Sequence, residues 1–297
     1  MAEQRALKLV SRAVEKNFSA QEMKFAVSWL EAYGYLGKLA NWRNITLGDI
    51  VDAIKLWQGW YGLKKTGQLT TQGLRMMMNT RRCGFPDVLR PDNPEHVQFI
   101  TARAKAKELT KWGRNTLTYF VDAYVPDIQQ AKQLQILQQA FDAWTQHCNL
   151  TITRASSSKN ANIIVSTGSG RRSNFDGPGG TLAWAYLPDG LDSQLLMRFD
   201  LGEKWSTSAA DPTGIVMFNV ACHEFGHLLG LEHSKKRGAL MAPYYNPMVA
   251  VPQADDDIPR IISRYGKRQG SNGDSATVPA ARQKIIIEGY DLQVTRA

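Results

Sequence analysis

The sequence predicts an α+β protein in two parts: a helical N-terminal module, then a mixed, mostly parallel five-stranded twisted sheet packed by three helices. Three observations predict it. Residues 3–78 repeat apolar side chains at helical spacing; beyond residue 114, short strand-like runs alternate with longer helical patterns; and a Pro/Gly-punctuated stretch separates the two.

The first part, residues 1–78, opens its helices with recognisable caps. "SAQE" at Ser19–Glu22 is a capping-box pattern before Met23, Phe25, Trp29 and Leu30. "TLGD" at Thr46–Asp49 resembles another, before the apolar stripe Ile50, Ile54 and Trp57. "GLKKTGQLT" at 62–70 breaks the pattern, and a short helix through Leu74 and Met77 follows. Residues 79–113 read as a linker broken by Gly84, Pro86, Pro91 and Pro94, ending in a basic segment from Arg103 to Lys111. In the second part, residues 114–266, "TLTYFVD", "LTITR", "ANIIVS", "TLAWAYL" and "LLMRFDL" read as strands. Helices are expected over 127–146, where Leu134, Leu137, Phe141 and Trp144 share a face, and near 213–229 and 255–264. Residues 267–297 are expected to be a mostly flexible tail with "KIIIEGY" as a candidate strand.

Charge narrows the function classes. Residues 1–87 hold 13 Lys and Arg against 7 Asp and Glu, whereas residues 88–265 hold 18 against 17. The basic residues are scattered over helical patterns as solvated faces, not clustered with aromatics, so no nucleic-acid partner is expected. No apolar run reaches the length of a membrane span. No signal peptide is visible, so the chain is either cytosolic or has lost its targeting segment. Three cysteines without a CxxC make no disulfide scaffold, although a 148–222 pair is open.

The chemistry lies in "HEFGHLLGLEH", residues 223–233. His223 and His227 are four apart, so their imidazoles leave one face of a helix and can share a Zn²⁺. Gly230 suits a left-handed helix end, after which the chain returns with His233 as third ligand. Three protein ligands leave one position open for water, the arrangement of a catalytic zinc. Glu224, turned away from the ligand face, is placed to take a proton from that water. Cys83, in "NTRRCGFPDV", lies beside Arg81 and Arg82, which should ease its ionisation, in a Gly/Pro turn expected to be exposed. Its partner is expected to be the zinc, as fourth ligand in a latent form.

The combination "HEFGHLLGLEHS…ALMAPYY" resembles the matrixins, the matrix metalloproteinase family of metzincins, with Met241 as the Met-turn beneath the metal. "LWQGWYGLKKTGQLTTQGLRMM" resembles the end of a matrixin propeptide, a module related to peptidoglycan-binding domains. "RRCGFPD" resembles the family's cysteine switch, usually PRCGVPD; Phe85 replaces a small apolar residue and is expected not to touch the thiol. "DDDIPRIISRYG" resembles the last helix. The resemblance implies a latent, secreted zinc endopeptidase cutting extracellular or matrix proteins, a monomer without the propeller domain that many members carry. It implies substrate-binding positions Leu182 and Ala183 on an edge strand, and Pro243 and Tyr245 on the facing wall. It also implies a calcium loop formed by Asp176, Gly177, Gly179 and Thr181 and closed by Asp200 and Glu203, oxygen ligation suited to Ca²⁺.

Two departures from the family matter. Its second, structural zinc should be absent, because Ser169, Arg171, Trp184 and Arg198 stand at the ligand positions; Arg171 and Arg198 are expected to supply some of the missing positive charge through salt bridges. A second calcium site is doubtful, because Asn162 stands where Asp is usual. The rival reading is a catalytically silent binding protein that uses the N-terminal module on glycans. It has no use for three zinc ligands, a base and a switch cysteine.

Overall fold

The computed structural model describes residues 2–15, 18–37, 44–90, 93, 96, 99, 111–188, 190, 192–268 and the backbone of 286–287 and 290–291. The basic segment from Arg103 up to residue 110 and most of the tail therefore lie outside the described residues.

The N-terminal part holds α1 (Ala2–Val10), α2 (Ala20–Ala32), α3 (Leu47–Trp60) and α4 (Thr71–Asn79). Both anticipated capping boxes form. The Ser19 hydroxyl accepts from Glu22 N at 3.2 Å while Glu22 accepts from Ser19 N at 2.7 Å, and Thr46 and Asp49 exchange bonds of 3.1 and 2.8 Å. These caps satisfy helix-end donors that would otherwise be orphaned. The Gln58 side chain bonds Gly67 N and Gln68 O, fixing the turn that breaks the helical pattern. Trp29, Leu30, Tyr35, Ile54, Trp57 and Leu74 fill a core whose buried residues all come from this part, with Val88 and Tyr244 packed against it.

The second part is a six-stranded sheet of order β1-β5-β6-β4-β2-β3. Its strands are β1 (Arg82–Cys83), β2 (Thr116–Val121), β3 (Thr151–Arg154), β4 (Ile163–Gly168), β5 (Thr181–Ala185) and β6 (Leu195–Asp200). All pairs are parallel except β5 with β6. The five expected strands form. The sixth comes from the linker, whose Arg82–Cys83 adds to the exposed edge at β5. Asn162 spends its side-chain oxygen on Thr118 N at 2.9 Å, bridging β4 and β2.

Two short strands, β7 (Trp205–Ser206) and β8 (Ile215–Val216), lead into the histidine-bearing helix. The three helices are α5 (Gln130–Thr145), α6 (Met217–Leu228) and α7 (Asp257–Tyr265). Helix α6 has every residue buried, because it packs between α5 and the sheet; Phe141 and Phe225 stack with centroids 3.6 Å apart. In the tail, β9 (Ile286–Ile287) pairs antiparallel with β10 (Tyr290–Asp291), a tight pairing in place of one longer strand. Among the described residues no helix is long and apolar enough to cross a membrane.

Candidate metal centre

Helix α6 carries His223, Glu224 and His227, and its end decides where His233 goes. Gly230 adopts φ +94°, Leu231 N returns to Gly226 O at 2.9 Å, and the chain folds back under the helix. Tyr265 and Trp112 donate to the Leu229 and Leu228 carbonyls at 3.1 and 2.8 Å, closing orphaned acceptors at that end. Met241 is fully buried beneath the site. It passes so close to the helix that a Cβ on Gly226 would stand 2.2 Å from its sulfur, so only glycine serves there. Asp257 brackets this turn by accepting from Leu240 N and Met241 N at 2.7 and 3.1 Å.

Cys83, His223, His227 and His233 each present one ligand atom, and the four atoms lie within 4.8 Å of one another. The three imidazoles are oriented by what their other nitrogens bond. Nδ1 of His223 meets Leu240 O at 2.7 Å, Nδ1 of His227 meets Leu231 O at 2.7 Å, and Nδ1 of His233 meets a carboxylate oxygen of Asp87 at 2.8 Å. An acceptor at Nδ1 puts the proton there and leaves each Nε2 as a lone pair, the form that binds a metal. Nε2 of His223 and of His233 are buried without a hydrogen-bond partner, and Nε2 of His227 lies 3.5 Å from Cys83 Sγ. Burial also keeps the rings neutral, pushing His223 down to about 3 and His227 and His233 below their ordinary range. Orphaned, converging, neutral donors of this N₃S set fit Zn²⁺.

Both carboxylate oxygens of Glu224 are buried without a hydrogen-bond partner, and burial pushes this carboxyl up to about 8. Cys83 differs from expectation on three counts. Its turn is buried, not exposed, because it is wedged between the sheet edge and the facing wall: Arg82 N and Gly84 N donate to Gly180 O and Ala183 O at 3.0 and 2.8 Å, Cys83 N donates to Pro243 O at 3.1 Å, and Tyr245 N donates to Arg81 O at 2.9 Å. Burial, followed by the nearby Glu224 carboxylate, pushes the thiol well up, outweighing the opposite pull of the Phe85 N–H and of Arg82. And Phe85 does touch the thiol: its backbone N–H donates to Sγ at 3.2 Å. The Phe85 ring also stacks on His227, 4.3 Å between centroids, and meets His233 edge-on.

Arg82 is 1% exposed and held in a cage. Its guanidinium lies 3.3 Å from the Tyr33 ring centroid, donates to Tyr61 OH at 3.0 Å and pairs with Asp87 at 2.5 Å. Burial works against the Asp87 charge, but Arg82, His233 and the Tyr35 hydroxyl together outweigh it and hold that carboxyl below its usual range. Asp87 therefore joins the cage to His233. Sequence reasoning missed this role; the signal was a cation and an anion bracketing the cysteine in "RRCGFPD".

The proposed calcium residues lie on two segments, 176–181 and 200–203, linked by the Gly179–Glu203 hydrogen bond, but converge less. Asp176 accepts from Thr181 N at 2.8 Å, Glu203 from Gly179 N at 2.5 Å and Asp200 from Gly202 N at 2.8 Å, while Asp200 Oδ2 is buried without a partner. Burial, then repulsion by Glu203 and Asp176, raises the Asp200 carboxyl. Gly177 and Gly179 hold φ of +95° and +96°, which shapes the loop. Leu182 and Ala183 lie buried on β5, and Leu182, Pro243 and Tyr245 line a cavity beside His223 and Glu224. At the structural-zinc positions, Trp184 donates to Ser173 O at 2.8 Å and Arg198 lies over its ring at 5.8 Å. The anticipated salt bridges are not formed with any described carboxylate. Cys148 and Cys222 are both free, held against the Trp144 and Ala140 carbonyls of α5.

The matrixin family model matches residues 111–266. Similar proteins include the interstitial collagenases of Oryctolagus cuniculus and Bos taurus, each 35% identical over 84% of this chain and 50% of the relative. The hatching enzyme of Paracentrotus lividus is 33% identical over 89% of this chain and 42% of its own length. The chain thus spans about half the length of the curated relatives it matches. Over the folded sheet-and-helix part and the histidine-bearing helix, this chain belongs to the matrixin family.

Proposed function

We propose that the chain is a latent zinc endopeptidase acting on extracellular or matrix proteins, with residues 1–78 as propeptide, 79–113 as switch and activation linker, and 114–266 as the catalytic domain. The single observation that carries this reading is the convergence of Cys83 with His223, His227 and His233, three of them locked as neutral Nε2 donors. His223, His227 and His233 would hold a zinc ion, which would supply a Lewis acid able to polarise a peptide carbonyl and acidify water. Glu224 is the proton carrier. Its two carboxylate oxygens, which no described group occupies, are available to take a proton from the attacking water and pass it to the leaving amine.

Substrate backbone lies where the switch segment lies. That segment already uses Ala183 O, Pro243 O and Tyr245 N, so a peptide finds the same partners by adding a strand at β5. Latency follows from the same overlap: Cys83 would serve as a further ligand to the metal, and its flanks take the backbone partners a substrate needs. The module's own core and the buried Arg82 hold it there at high effective concentration. Ca²⁺ would be held by Asp176, Asp200 and Glu203 with carbonyls of the 177–181 loop; the orphaned Asp200 Oδ2 and the mutual repulsion of the carboxylates support a cation there. The names of the relatives support matrix protein as the substrate class and an extracellular setting. The enzyme is read as a monomer.

The test is Cys83→Ser in the full-length chain. It should cleave peptides and its own linker without processing, and a zinc chelator should abolish this. If it stays silent while the truncated chain is active, blockage is by sterics alone; if neither form cleaves any peptide, the endopeptidase reading fails.

A further inference from the structure

Between the third histidine and the turn at Met241 the chain reads "SKKRG", Ser234 to Gly238. Lys235, Lys236 and Arg237 are all exposed, three adjacent cations on one loop. Lys236 is tied down, pairing with the Asp255 carboxylate and donating to Asp255 O at 3.1 Å. Lys235 and Arg237 pair with no carboxylate among the described residues. The loop is a tight turn in which Lys236 N donates to Ser234 Oγ at 3.0 Å and Ala239 N to Lys236 O at 3.2 Å. The Arg237 and Gly238 N–H groups take no part in it. Gly238 holds φ +91°, and a Cβ there would meet nothing within 4 Å. The Arg237–Gly238 bond is thus the least held point of an exposed loop tip, the kind of place where proteases nick a folded chain. An endopeptidase whose specificity pocket carries a carboxylate takes an arginine on the N-terminal side of the bond it cuts.

In the latent form the N-terminal module leans on these same side chains. Lys235 Nζ lies 5.3 Å from the ring centroid of Trp60, the last residue of α3. The Arg237 Cδ lies 3.1 Å from where a Cβ on Gly62 would stand, so its stem crosses that glycine. A protease must open the turn and draw the side chains into its own cleft, so its rate follows the population of the open loop. Packing against Trp60 and Gly62 lowers that population.

We propose that the Arg237–Gly238 bond is a proteolytic modification site for an endopeptidase selective for basic residues, masked while the N-terminal module is docked and uncovered when it leaves. The proposal rests on the reading of residues 1–78 as a removable propeptide. The step is a hydrolysis: water adds across the amide, leaving a carboxylate on Arg237 and an ammonium on Gly238. It detaches residues 238–297, which carry part of the support of the histidine centre. Leu240 O holds His223 Nδ1 at 2.7 Å, and Met241 lies buried beneath the helix, whereas His233 stays on the other piece. After the cut the pieces are joined by packing and hydrogen bonds alone, among them Ser234 N to Met241 O at 2.7 Å. One class of protease, acting first on the basic linker segment and then on this loop, would both start and end the working life of the chain.

The probe is trypsin. The full-length chain, and the same chain after its linker has been cut and the N-terminal piece removed, are loaded with zinc and digested in parallel. The peptide beginning at Gly238 is followed by mass spectrometry, and zinc release by a chromogenic chelator. The bond should be cut about tenfold faster in the processed chain, the scale of one or two lost contacts, and zinc release should keep pace with the cut. Carrying Lys235→Gln, Lys236→Gln and Arg237→Gln together, the processed chain should keep its zinc about tenfold longer under trypsin. Equal cutting rates in the two forms overturn the masking. A processed chain cut elsewhere, with its Arg237–Gly238 bond intact, overturns the site. Both outcomes are read from fragments of the parent chain, so they decide the matter even if the triple variant does not fold. A processed chain that yields the Gly238 fragment in the expected order but cleaves no peptide substrate would remove the endopeptidase reading and leave this site standing.

Discussion

The two candidate metal sites of this chain lie beside the same edge strand and are built in opposite ways. At the histidine centre every ring spends Nδ1 on the protein and leaves Nε2 for a metal, two of the rings on a helix whose residues are all buried. In the 176–181 loop and the 200–203 turn the carboxylates hold these segments together through backbone N–H groups, and they repel one another. An imidazole has two separate nitrogens, so structure and chemistry can be divided between them; a carboxylate must do both with the same charge. On the reading proposed above, zinc would find a site the fold has already formed, whereas a cation between the carboxylates would complete the fold. Removing zinc should therefore cost activity, and removing calcium should cost stability.

The largest effect belongs to the histidine centre. Glu224→Ala in an activated chain should lose about 10²–10⁴-fold in kcat, the scale of one positioned acid–base group, while bound zinc measured by elemental analysis stays unchanged. Peptide cleavage near the parent rate would show that Glu224 is not the proton carrier. If zinc were lost as well, the separation of ligand and base on α6 would be wrong.

Next in size is the clamp that presents Cys83. Asp87→Ala leaves the Arg82 charge buried at 1% exposure with its carboxylate partner gone, a change that costs about 3–5 kcal/mol at sites of this kind. It also removes the acceptor of His233 Nδ1. The expected outcome is partial activity of the unprocessed chain and faster zinc loss to a competing chelator. An unprocessed variant that is as silent as the parent, with the same zinc off-rate, would detach Asp87 from both roles. Asp87→Asn, which keeps one acceptor oxygen, should be milder on both counts.

The calcium side of the comparison predicts a smaller effect of another kind. A calcium-selective chelator should lower the melting temperature by several degrees, since a ligand at about 100 times its Kd stabilises by about 2.7 kcal/mol. Asp200→Asn should abolish that calcium-dependent shift, because it removes charge from the carboxylate whose second oxygen is orphaned. The check is differential scanning calorimetry with and without calcium. A melting temperature indifferent to calcium would leave the loop as an ordinary turn with solvated acids.

How much of this was legible in the sequence differs between the two sites for the same reason. The three histidines and Glu224 follow from helical spacing and one glycine, local rules that need no distant partner. Both capping boxes and all five strands of the sheet were legible in the same way. Cys83 was legible only through its family motif, and its environment was misjudged: neighbouring arginines suggest an acidic thiol, but Arg82 turns toward Tyr33, Tyr61 and Asp87, and burial decides. The sixth strand, the Asp87–His233 bond, the stacking of Phe85 on His227 and the contact of Lys235 with Trp60 join residues far apart in the chain or depend on one rotamer. Periodicity carries no record of such pairings.

The smallest expected effect tests a third position, where relatives of this family hold a structural zinc and this chain has Ser169, Arg171, Trp184 and Arg198. Trp184 is buried, anchored through its indole N–H to Ser173 O, with the Arg198 guanidinium over its ring. The stacked cation and the indole hydrogen bond tie β5, β6 and the 171–173 turn together, a task a metal could otherwise perform. One guanidinium over one ring at a partly exposed site contributes about 0.5–1 kcal/mol, far less than a bound zinc. Arg198→Ala should accordingly lower the melting temperature by only a degree or two. The Arg198 Nε, buried without a partner, offsets part of the gain, so the loss could shrink toward zero but should not grow. Elemental analysis should give one tightly bound zinc per chain for parent and variant alike. Two zincs per parent chain would mean that other residues hold the second ion, and a loss of several kcal/mol in Arg198→Ala would mean that the stacked pair carries more than one cation–π contact can supply.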